Sequence, residues 1–106
     1  MLRIQRHEVN AYRVTLVLQG RIVAEWADLL ERECVELMRS KVRVVLDLAE
    51  VVFIGRSGLE ALVRLDGAGA RVIGCTPLIA AMLQQEGITV WPGPTQTVRT
   101  RKEKSS

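Results

Sequence analysis

Apolar and polar residues alternate at Leu2, Ile4 and Arg6, and again after Asn10-Ala11 at Val14, Leu16 and Leu18, the two-residue period of strands with one covered face. Two strands joined by a turn are predicted. Gly20-Arg21 breaks this pattern, and the spacing lengthens to Ile22/Val23, Trp26, Leu29/Leu30, Cys34 and Leu37/Met38, with Glu25, Asp28, Glu31, Glu33 and Glu36 between them. That is an amphipathic helix whose apolar face suits a sheet. Acidic residues in its early turns and Arg39 and Lys41 at its end match the helix dipole. Val42, Val44, Val45 and Leu46 then run with little polar alternation, as in a central strand. Asp47 ends that run, and a short second apolar run leads to Phe53-Ile54.

Beyond Ile54, Ser57-Gly58 opens a segment with helical spacing at Leu59, Leu62 and Val63, extending to about Leu65 and stopped by Asp66-Gly67-Ala68-Gly69. Arg71-Val72-Ile73-Gly74 reads as a short strand. Thr76-Pro77 reads as N-cap and first-turn proline of a helix through Leu78, Ile79, Met82 and Leu83 that closes at Gly87, before an edge strand over Ile88-Thr89-Val90-Trp91. Strands followed repeatedly by helices predict an α/β fold: a small mixed, mostly parallel sheet with helices packed on it. Trp26, Leu30, Leu37 and Met38 are expected in the core rather than at an interface.

A chain of 106 residues holds one core and no second one. Residues 1–91 are expected to form the domain and residues 92–106 a flexible basic tail. The formal net charge of +3 resides in that tail, because residues 1–98 hold 11 Lys or Arg and 11 Asp or Glu, while Arg99, Arg101, Lys102 and Lys104 face only Glu103. A basic fold surface for nucleic acid is therefore not expected. No apolar run approaches the ~20 residues of a membrane span, and the N-terminus lacks the apolar core of a signal peptide. A cytoplasmic protein is expected, without membrane insertion. Cys34 and Cys75 lack metal-ligand spacing and read as buried thiols, and His7, the single histidine, reads as a surface or edge residue.

Among candidate functional residues, Ser57 has two readings. Ser57-Gly58-Leu59-Glu60 fits the S-x-x-E capping box, in which the hydroxyl caps the helix and Glu60 reaches back. The same hydroxyl at a helix N-terminus also suits phosphate. Asp47 reads as a turn and backbone cap, with a partner's polar group as its other use. Thr76 is an N-cap on the same strand-end side as Ser57. No phosphate loop, metal cluster or nucleophile–base pair occurs, so neither catalysis nor a cofactor is expected.

The order of elements and the run from Val44 to Leu62 resemble a STAS domain, the fold of bacterial anti-sigma factor antagonists. Asp47-Leu48-Ala49 matches the family's Asp-Leu-Ser-like turn, Phe53-Ile54 its apolar pair, and Gly55-Arg56-Ser57-Gly58-Leu59 its Asp-Ser-Ser-Gly-Leu segment. The resemblance implies a non-catalytic protein–protein regulator. It implies a kinase-like anti-sigma factor, related to histidine-kinase ATPases, as partner. It also implies phosphorylation at Ser57 and a docking surface of Asp47, Gly55, Arg56, Ser57, Gly58, Leu59 and Thr76. The chain departs from the family at Gly55, where an aspartate is common, and at Arg56, where serine or threonine is common. STAS-like domains also serve transport systems, so docking on a transporter ATPase of lipid or anion transport is the alternative.

Overall fold

The computed structural model describes residues 1–92, in the order β1 (Leu2–Asn10), β2 (Arg13–Ile22), α1 (Ala24–Arg39), β3 (Arg43–Ile54), α2 (Arg56–Gly67), β4 (Arg71–Ile73), α3 (Pro77–Gln85) and β5 (Val90–Trp91). All but Pro92 of the proposed tail lies outside the described residues. The strands lie in one sheet in chain order, β1 antiparallel to β2 and the other three pairs parallel. The mixed, mostly parallel α/β sheet is borne out.

The hairpin turn follows from Asn10, whose Oδ1 accepts the Tyr12 backbone N–H at 2.7 Å and so turns the chain over two residues. Gly20-Arg21 does not end β2, contrary to expectation. Gly20 adopts φ +106°, and a Cβ there would fall 2.5 Å from the Met1 carbonyl oxygen. The glycine thus lets the strand kink past β1 and continue to Ile22, because it alone lacks the atom that would collide.

The three crossovers β2–α1–β3, β3–α2–β4 and β4–α3–β5 all step the same way along the sheet. Right-handed crossovers therefore place all three helices on one face. Burial alternates accordingly: Val14, Leu16, Leu18 and Ile22 of β2 and Val44, Leu46, Leu48, Val51 and Ile54 of β3 point into the core. Leu30 and Cys34 of α1 and Leu62 and Leu65 of α2 meet them, while Trp26, Leu37 and Met38 are half-buried against the same cluster. The bidentate pair of Arg64 with Glu31, at 2.7 and 2.9 Å, ties α2 to α1. The hydrogen bonds from Arg64, more than its charge, hold the Glu31 carboxyl below its usual pKa.

Helix ends are decided by backbone closure. Past α2, Gly69 is left-handed and the Ala70 and Gly69 amides bond back to Leu65 and Asp66, and past α3 Gly87 and Ile88 do the same to Gln84 and Leu83. After α1 the same closure is made by Lys41 at φ +63°, with its amide on Met38 and that of Val42 on Leu37. A lysine Cβ is unfavourable in that region. Lys41→Gly is therefore expected to raise stability by about 1 kcal/mol, read as a higher urea midpoint at unchanged slope.

Candidate functional site

β2 and β3 end together, at Ile22 and Ile54, where β3 hands over to α2, and this corner is built around one carbonyl. The Ile22 carbonyl oxygen accepts the Gly55 N–H at 3.0 Å and also presses on Gly58, which is buried. A Cβ on Gly58 would overlap that oxygen and stand 2.8 Å from Ile22 Cγ2. Gly58 is thus the residue that lets α2 start against the end of β2. It serves the corner by having no side chain.

Gly55 is the N-cap of α2, in an extended conformation, and no side chain caps the helix. The capping box is therefore not formed: the helix begins at Arg56, one residue before Ser57, so Ser57 is the second helical residue instead of the cap. Its hydroxyl is exposed and makes no hydrogen bond to the backbone among those of the described residues. The first α-helical bond runs from the Leu59 amide to the Gly55 carbonyl at 2.9 Å, leaving the amides of Arg56, Ser57 and Gly58 ahead of the ladder. The first turn holds no acidic residue. Helix dipole and free amides carry positive potential to the point where Ser57 stands, and Arg56 precedes it in the chain.

Beside this corner, α2 and α3 border a groove of about 510 Å³ lined by Gly55, Arg56, Leu59, Val63, Met82 and Glu86, among others. Three of the residues named from the sequence, Gly55, Arg56 and Leu59, meet there. Met82 and Glu86 were missed. Leu59 and Val63, four apart on α2 and off the core stripe of Ala61, Leu62 and Leu65, are the signal that could have found this second face. Val52 and Phe53, 72% and 48% exposed, add apolar surface on the strand leading into the corner.

Asp47 and Thr76 fall elsewhere. The strand does not end at Asp47 but runs on to Ile54, because a bulge absorbs the irregularity: Val17 to Gln19 of β2 faces Asp47 to Glu50 of β3. Asp47 Oδ1 accepts the Ala49 N–H at 3.0 Å there, which bears out its backbone-capping reading in a different setting. The same oxygen is 3.0 Å from where a Cβ of Gly74 would sit, so Gly74, at φ +71°, makes room for the carboxylate. Burial, with Asp47 adding to it, pushes the Cys75 thiol up to about 11, and burial pushes Cys34 up to about 12. Both thiols are therefore protonated near neutrality. Thr76 is the N-cap of α3 as predicted, exposed, with its carbonyl rather than its side chain closing the turn.

Among the described residues no cluster of three or more His, Cys, Asp or Glu could hold a metal, and no helix is long and apolar enough to cross a membrane. No protein-family model and no curated relative matches the chain. Solved structures do. The anti-sigma factor antagonist SpoIIAA in its unphosphorylated form superposes with a TM-score of 0.73 at 15% identity, over 95% of this chain and 96% of that one. An anti-sigma factor antagonist from Mycobacterium paratuberculosis gives 0.71 at 16%, over 94% and 93%. The Bacillus cell fate determinant SpoIIAA in its phosphorylated form gives 0.66 at 15%, over 93% and 98%. With its strand order, its one-sided helices and these superpositions, the chain has the STAS-like fold of the anti-sigma factor antagonists.

Proposed function

We propose that this domain is a non-catalytic regulator that acts by protein–protein contact, docking a kinase-like anti-sigma factor on the corner at Gly55–Leu59 and the adjoining α2/α3 groove. Ser57 is its switch. The observation that carries this reading is the exposed, uncapped Ser57 hydroxyl at the positive end of α2, with Arg56 beside it. An acceptor hydroxyl must be reachable, and a phosphate placed there gains the helix amides and a guanidinium on its own domain. The same phosphate adds about −1.5 to −2 charge, which an apolar docked interface does not tolerate. The likeness to SpoIIAA, solved in both unphosphorylated and phosphorylated forms, supports a switch of this kind.

The exposed Val52 and Phe53 would extend the contact beyond the groove. Glycine at 55 has a physical consequence for the kinase step: no carboxylate stands next to the acceptor, so the phosphate meets no negative neighbour on the loop. A side chain at 55 would meet Val23 Cγ1 at 3.1 Å, so the position favours a small residue here.

The test is to incubate the full chain with ATP and a histidine-kinase-like anti-sigma factor, map the modified peptide, and measure affinity for Ser57→Ala and Ser57→Asp. One phosphate on Ser57, none on Ser57→Ala, and at least tenfold weaker binding of Ser57→Asp, about 1.4 kcal/mol, are expected. Unmodified Ser57 with equal affinities would sink the switch. Because Gly55 removes the usual carboxylate, constitutive docking on a transporter ATPase is the second reading. It is favoured if such an ATPase binds all three forms alike.

A further inference from the structure

The helices cover one face of the sheet, and the opposite face is uncovered by any described element. Parallel strands are nearly always covered on both sides, so an open face on four of them asks for an occupant. Its middle is apolar but for Asp47, which pairs with Val17 on one side and Ile73 on the other: Val17, Val45 and Ile73 lie outside the core cluster, Ile73 is nonetheless only 7% exposed, and Trp91, paired with Ile73, borders them at 44% exposed. Five arginines share this face by strand register, Arg3 on β1, Arg13 and Arg21 on β2, Arg43 on β3 and Arg71 on β4.

At the end where β2, β3 and β4 begin, Arg13, Arg43 and Arg71 surround a cavity of about 650 Å³ floored by Val45 and Ile73 and walled by Trp91. Arg13 and Arg43 are direct cross-strand partners, a like-charge pairing that weakens a sheet. Among the described residues neither is in an ion pair, and Arg71 lies over the Trp91 ring at 4.7 Å from its centroid. The face's two carboxylates are engaged elsewhere, Asp47 with the Ala49 amide and Glu50 with the Gln19 side chain at 2.7 Å.

From this geometry we infer a second docking surface: the open sheet face receives an acidic amphipathic helix of a partner protein, its apolar stripe on Val17, Val45 and Ile73 and its carboxylates on Arg13, Arg43 and Arg71. A helix is the element that covers sheet faces, and its stripe uses the apolar floor that a bare inorganic anion would leave wet. Three guanidiniums recognise carboxylates bidentately, which a second copy of the same arginine-rich face does not supply. The chain's own residues 93–106 continue from Pro92 at the cavity wall, but their charge has the wrong sign. The surface stands apart from the Ser57 corner: Arg13 and Ile22, the partners of Arg43 and Ile54, are the two ends of β2, about 30 Å along an extended strand. The two contacts are thus able to coexist.

The probe is a synthetic helical peptide of about five turns with a leucine stripe flanked by glutamates. Its controls carry the same stripe flanked by lysines, and glutamates without the stripe. Each is titrated into the isotope-labelled full chain and followed by amide shifts. Saturable shifts centred on Val17, Val45, Ile73 and the Trp91 indole, for the Glu/Leu peptide alone, are expected. Arg13→Gln/Arg43→Gln, exposed changes that leave the core intact, is expected to weaken binding at least tenfold while leaving the spectrum folded. No shift on the face, equal binding of the lysine peptide, shifts centred on the α2/α3 groove, or contacts from residues 93–106 to Val45 in the free protein would each overturn the inference. So would a concentration-dependent dimer closed through this face. Failure here leaves the Ser57 reading untouched, since no residue is shared.

Discussion

Gly58→Ala is expected to destabilise the domain by about 3 kcal/mol, the overpacking of a new methyl together with the hydrogen bond it displaces. The added Cβ lands on the Ile22 carbonyl oxygen, with the carbonyl carbon at 3.1 Å and Cγ2 at 2.8 Å. Backbone cannot rotate away as a side chain can. The same oxygen accepts the Gly55 N–H, so moving Ile22 breaks the bond that seats the loop, and moving α2 drags Ser57 and the groove with it. Urea unfolding of Gly58→Ala beside wild type reads the loss, with Gly67→Ala as control, since a Cβ at Gly67 meets nothing within 4 Å. A loss below about 0.5 kcal/mol, the scatter of neutral surface changes, would mean that the corner yields freely. Any effect of Gly58 substitutions on partner binding is then to be ascribed to the displaced corner, because Gly58 offers no surface of its own.

Leu62→Ala should cost about 3–4 kcal/mol, within the range for removing a fully buried leucine when the surroundings cannot collapse into the space. Leu62 is completely enclosed and stands one turn from Gly58 and Leu65 on the α2 stripe that meets the sheet. The sheet beneath is stiff and both strands under α2 are paired, so little can move to fill the space. Its neighbour Val63, 37% exposed on the groove side, gives the contrast: Val63→Ala should change stability by less than about 0.5 kcal/mol. If the two substitutions cost the same, the division of α2 into a core stripe and a groove stripe is wrong.

The core stripes were legible because both periods are strict. The two-residue alternation of Val14, Leu16 and Leu18 and the helical spacing of Leu30, Cys34 and Leu37 each bind one face to the core, and a shift of one residue would expose it. The turn at Asn10, the proline start at Pro77 and the glycine close at Gly87 were equally readable, since each rests on local backbone chemistry. The site was legible in part. Gly55, Arg56, Ser57, Gly58 and Leu59 do form one corner, yet the capping box anticipated for Ser57 is absent, because the helix entry is set by Ile22 holding Gly55 and Gly58 and not by the local S-x-x-E pattern. Asp47 and Thr76 lie apart from that corner for a similar reason. An apparent break after Leu46 is a bulge in one long strand, visible only once β2 supplies its register.

By itself, then, the sequence determined which residues face the core, where most turns fall and the α/β order of elements, all of which depend on interactions within a few positions along the chain. Only the tertiary structure decided what depends on contacts distant in sequence. Gly58 is confined by a carbonyl 36 positions earlier, Met82 completes a groove begun by Leu59, and Arg13, Arg43 and Arg71, unremarkable along the chain, gather on one uncovered face. Their neighbourhood is created by strand pairing, which residue periodicity constrains in phase but not in partner.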